Sequence, residues 1–199
     1  MPQFIQPKEV IRILNAAKIS FTLVGARGLA GWTQKPRATE DVDVVVTARH
    51  IKKARAALTT AFPHLHVIDA PLVVRLKDGK MGPAAVRLLK PAPLLLRAAL
   101  RNTRTVRSER HQYKVPSLEM ALALIFDRLV SPYRDDVDKI LDAEEFGQMV
   151  RHHRVINWHR LSALGGLVFF GGGGNLIATV RRVQAGEQLI RLPAAKSPL

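Results

Sequence analysis

Two aspartates interrupt the most strongly β-forming stretch of the chain, Asp41-Val42-Asp43-Val44-Val45-Val46. Valine is branched at Cβ, which suits a pleated strand better than a helix. Residues two apart on a strand face the same side, so Asp41 and Asp43 project together, about 7 Å apart along the backbone, while Val42 and Val44 go to the opposite face. Such a pair suits oxygen coordination of a divalent metal. A bare Asp-x-Asp is also what a solvated strand edge looks like, so the flanking residues have to decide.

Upstream, Val10, Ile13, Leu14 and Ala17 recur at helical spacing within Pro7–Lys18, and Phe21–Val24 reads as a buried strand ended by Gly25. Gly25 to Trp32 reads as a tight turn opening a short helix, whose backbone amides suit a phosphate. Downstream, a helix is expected over Ala48–Phe62 and strands over Leu65–Ile68, Leu72–Leu76 and Ala84–Leu89. After Pro93 the pattern turns helical, over Leu94–Arg104, Ser117–Leu129, Arg134–His152, Asn157–Phe169 and Leu176–Gln184. The expected fold class is α/β: a small mixed sheet with flanking helices over residues 1–90, a helical subdomain over 91–192, and a tail over 193–199.

Charge narrows the partners. Against 16 Asp+Glu stand 31 Lys+Arg, a net charge of +15 in 199 residues, which attracts polyanions such as nucleic acid and nucleotides. From Arg75 to Lys114 the cations are densest, and Arg97, Arg101 and Arg104 would share one face of the helix expected there. That stripe reads equally as a contact for RNA, such as tRNA, or as a solvated face. With no cysteine, thiol nucleophiles and Cys-ligated zinc are excluded. Met1-Pro2-Gln3-Phe4 has no signal-peptide character, and the expected location is cytoplasmic. Leu161–Val180 carries no charge but holds six glycines, four of them consecutive, so no membrane span is expected and the glycine run reads as a flexible helix junction.

The order of these elements carries a further signal. An apolar strand, Gly25-Ala26-Arg27-Gly28, a short helix, and then Arg37-Ala38-Thr39-Glu40-Asp41-Val42-Asp43 running into valines resembles the nucleotidyltransferase (DNA polymerase beta-like) superfamily. More narrowly it is similar to the minimal and abortive-infection (AbiEii-type) toxin nucleotidyltransferases. A weaker similarity follows in Pro116–Glu119, Arg134, Lys139, Asp142 and Glu145-Phe146. The resemblance implies transfer of a nucleoside monophosphate from a nucleoside triphosphate to an RNA or protein acceptor, with Mg2+ or Mn2+ held by Asp41 and Asp43. It further implies a nucleotide-binding turn at Gly25 and Ala26, phosphate contacts from Arg27, Arg37 and Thr39, and a cognate antitoxin as partner.

Two positions depart from that pattern. Ala26 offers a backbone amide but no hydroxyl where Gly or Ser is usual. More consequentially, the third acid belongs on a later strand, and within Ala84–Leu89 the residue in place is Arg87. A guanidinium there would pair with the two carboxylates and oppose a metal, because its charge cannot be titrated away. Asp69 or Asp78 would supply a displaced acid under a different register. The sequence therefore leaves two readings: an active transferase, or a non-catalytic module of the same fold that binds nucleotide, nucleic acid or a partner protein.

Overall fold

The computed structural model describes residues 5–35, 39–79, 82–108 and 111–189. Contacts divide the chain into two units, Met1–Leu29 with Ala38–Pro116, and Ala30–Arg37 with Ser117–Leu199. The first unit begins with α1 (Pro7–Ala16), where Pro7 stands in the first turn and Gln6 and Glu9 form a capping box. Its buried face is Val10, Ile11 and Leu14. Strand β1 (Phe21–Val24) leads into the short helix α2 (Gly25–Leu29), and β2 (Val42–Val46) precedes α3 (Ile51–Ala61), which buries Ala54 and Leu58. Then come β3 (Leu65–Asp69), β4 (Val73–Asp78), β5 (Ala84–Leu89) and the short helix α4 (Leu94–Ala99).

The five strands form one sheet in the order β1-β2-β5-β4-β3. The β2–β5 pair is parallel and the others are antiparallel, so the sheet is mixed, as expected. One face carries Phe21, Leu23, Val42, Val44, Val46, Val74, Leu76, Val86 and Leu88, packed in one core with residues of α1 and α3. Val42, Val44 and Val46 are at most 1% exposed. Burial of a valine side chain contributes about 1.5–3 kcal/mol, so this face fixes which way the strand alternates. Asp43 is thereby forced onto the other face.

The stretch after Pro93 departs from the helical expectation. Helix α4 stops at Ala99, and Thr103–Ser108 (β6) pairs antiparallel with His111–Pro116 (β7). Asn102 donates from its side chain to the Ala98 carbonyl, which closes the helix, and the β-branched Thr103, Thr105 and Val106 then favour a strand. Val106, Tyr113 and Val115 join the sheet's core, so the first unit extends to Pro116 and not to residue 90. The arginine stripe does not form. Arg97 donates to the Pro91 and Ala92 carbonyls, Arg101 follows the helix, and Arg104 lies on β6.

In the second unit α5 (Leu118–Val130) is apolar on nearly every side and buries Met120, Leu122, Ile125, Phe126 and Leu129, as an internal helix must. Around it stand α6 (Asp136–His152), α7 (Trp158–Gly165) and α8 (Gly172–Gln184). Among the described residues no helix is long and apolar enough to cross a membrane. The glycine run is not a flexible junction: Gly171, at φ +83°, caps α8, and Gly172–Gly174 form its first turn. A Cβ on Gly173 would lie 2.5 Å from the Ser162 carbonyl oxygen, whereas one on Gly174 would meet open space. Glycine is thus what lets α7 and α8 approach. Gly173→Ala is expected to destabilise by about 1–3 kcal/mol, and Gly174→Ala to stabilise by a few tenths to about 1 kcal/mol. Thermal unfolding of the two variants checks this; a Gly173→Ala protein melting no lower than the wild type contradicts it.

Candidate functional site

The site is built where β1 ends, in register with β2 and β5. Val24 is paired with Asp43, and Asp43 with Arg87, so position 87 lies directly beside position 43 on the same face of the sheet. Next in the row comes Arg75 on β4, opposite Arg87. Gly25 turns the chain at φ +62°, and a Cβ there would stand 2.5 Å from Oδ2 of Asp43. Only glycine accepts both that backbone and that contact.

Arg87 closes on both carboxylates. Its Nε–H donates to Oδ1 of Asp43 at 2.5 Å and an Nη2–H to Oδ2 of the same carboxylate at 2.7 Å, a bidentate fork. Nη2 also forms an ion pair with Oδ2 of Asp41. The remaining oxygen of Asp41 accepts from the Thr39 hydroxyl, and the Thr39 carbonyl accepts from Nη2–H of Arg27 at 2.7 Å. Asp43 is 13% exposed and Asp41 25%, so these contacts are formed largely out of water. Partial burial works against the Arg87 charge. The hydrogen bond and charge of Asp43, followed by those of Asp41, outweigh it and raise the guanidinium above its ordinary value.

These residues do not fit a divalent metal. Mg2+ wants near-octahedral oxygen ligands and little positive charge nearby, whereas here one guanidinium occupies oxygens of both carboxylates. Among the described residues no group of three His, Asp or Glu side chains stands together to hold a metal ion. Neither proposed substitute acid reaches the pair. Asp69 lies at the end of β3, beyond β4 and β5 from β2, and is paired with Arg55 and Lys90. Asp78 lies on β4, paired in register with Leu65. Ala26 is buried in α2, and Arg37 lies outside the described residues.

The acidic helical motif has a structural role in its own unit. Asp135 caps α6 by accepting from the Asp138 N–H at 2.8 Å. Asp142, 0% exposed, accepts from Nε–H of Arg134 at 2.5 Å and pairs with Nη2 of Arg128 at 3.2 Å, which also reaches Glu145. This is a largely buried network that joins α5 to α6. Sequence reasoning missed β6–β7; the alternating Thr103, Thr105 and Arg107 were the available signal, masked by arginines at helical spacing.

No family model matches the chain, and no curated protein does. Among solved structures it is similar to an antigenic nucleotidyltransferase-like protein from Paracoccidioides brasiliensis, with a TM-score of 0.60 and 16% identity. The superposition covers 95% of this chain and 94% of that one. The class that fold and sheet define is therefore a nucleotidyltransferase-like α/β fold. Asp142→Ala is expected to cost about 3–5 kcal/mol, because it leaves two half-buried arginines without their shared carboxylate, and Asp135→Ala about 1 kcal/mol as a lost cap. Chemical denaturation measures both; an Asp142→Ala loss no larger than the cap's contradicts the network.

Proposed function

We propose that this chain is a nucleotidyltransferase-fold module that binds RNA without transferring a nucleotide. The observation that carries the reading is Arg87 on Asp41 and Asp43, a cation built into the protein where the fold's transferases need a third acid. Two negative charges against one positive leave the site only weakly acidic. Several cations of the first unit are exposed: Arg75, Arg101, Arg104, Arg107 and Lys114. On the β6–β7 ribbon, Arg107 and Lys114 share the face opposite Val106, Tyr113 and Val115, the face that packs on the core. A basic face of this kind contacts phosphates without reading bases, and its affinity is set by salt.

A second reading, metal-dependent transfer from a nucleoside triphosphate to RNA or protein, is favoured by the close fit of Gly25 against Asp43. It requires the Arg87 guanidinium to leave both carboxylates. The AbiEii-type toxin role, with an antitoxin partner, belongs to that reading. One pair of assays separates the two. Filter binding to a single-stranded RNA is expected to weaken steeply with salt, with a log–log slope of about −3 for four phosphate contacts. Arg107→Glu/Lys114→Glu is expected to lower affinity at least tenfold. In parallel, incubation with radiolabelled triphosphates, Mg2+ and RNA is expected to label no more acceptor than an Asp43→Asn protein does. Labelling that Asp43→Asn abolishes overturns the proposal in favour of the second reading.

A further inference from the structure

A cavity of about 240 Å³ opens in the first unit between the start of α1, α2, and Ser108 and His111 on β6 and β7. It lies across β1 from the carboxylates: Leu23 lines it, and Leu23 and Val24 point to opposite faces, the latter beside Asp43. Lys8, Arg27 and His111 bring cationic or proton-donating nitrogens, Ser108 a hydroxyl, and Ile11 with Leu23 an apolar floor beside the Tyr113 ring. Among the described residues that line it none is acidic. Arg27 donates one Nη2–H to the Thr39 carbonyl.

Size and lining together restrict the ligand. Just below the usual range of ligand cavities, about 300–1,000 Å³, the space suits something no larger than a mononucleotide. The cations call for a compact anion, and the apolar floor and phenol ring for a flat ring beside it. We infer that this cavity binds a nucleoside 5′-monophosphate, its phosphate on Arg27 and Lys8 and its base against Ile11, Leu23 and Tyr113. The phosphate reaches it either as a free mononucleotide or as the 5′ end of an RNA. No residue of the cavity belongs to the Asp41–Asp43–Arg87 cluster or to the outer hairpin face, so the inference stands apart from the function proposed above.

Calorimetric titration of the full chain with AMP, with a 5′-phosphorylated tetraribonucleotide, with its 5′-hydroxyl counterpart and with inorganic phosphate tests it. Saturable binding of one AMP or one 5′-phosphorylated tetramer per chain is expected, at least tenfold tighter than the 5′-hydroxyl tetramer or inorganic phosphate. Which of the two binds more tightly identifies the source. Lys8→Glu, an exposed position that leaves the fold intact, and Arg27→Gln are expected to weaken binding at least tenfold, and Asp43→Asn to leave it unchanged. Three outcomes overturn the inference: no saturable binding at millimolar concentrations, an affinity that Lys8→Glu does not move, or binding abolished by Asp43→Asn.

Discussion

The guanidinium of Arg87, closed on Asp41 and Asp43, is the interaction on which the functional half of this protein depends. It follows from strand register. The parallel pairing of β2 with β5 sets position 87 beside position 43, and the buried valines on the other face prevent a one-residue slip that would turn the aspartates inward. A planar fork with fixed donors matches a carboxylate better than an ammonium would. Against the opposing effect of burial, Asp43, followed by Asp41, raises the guanidinium above its ordinary value, so the cation is not titrated away.

The same economy operates among the helices. Arg128 and Arg134 enclose Asp142, and Lys139 is buried close by in sequence on α6. In both units acidic side chains that are drawn out of water are met by arginine. The excess positive charge, +15 overall, is what remains after these internal pairs, and along β4 and the β6–β7 ribbon it is presented to solvent. A polyanion is therefore met by a basic surface, while the carboxylate pair that would hold a metal is already compensated from within.

Much of this was legible in the chain. The strands at Phe21–Val24, Val42–Val46 and Ala84–Leu89 and the facing of Asp41 with Asp43 follow from apolar alternation and β-branching, and Arg87 could be placed because those strands are short and well bounded. The hairpin over residues 103–116 was not legible as such. Arg97, Arg101 and Arg104 repeat at helical spacing, yet a closing Asn102 and the threonines that follow outweigh it. The glycine run misled in a different way: Gly172 and Gly173 are required by contact with α7, a property of tertiary packing that no local pattern contains. The cavity beside Arg27 likewise joins residues from five elements, α1, β1, α2, β6 and β7, and only the fold brings them together.

Mn2+ binding read by electron paramagnetic resonance tests the central claim most directly. Titrated into the wild-type chain, Mn2+ is expected to keep its free six-line signal, while Arg87→Asp, which supplies the third acid and removes the guanidinium, is expected to quench one equivalent. A wild-type protein that takes up one Mn2+, and loses it on Asp43→Asn substitution, would contradict the account.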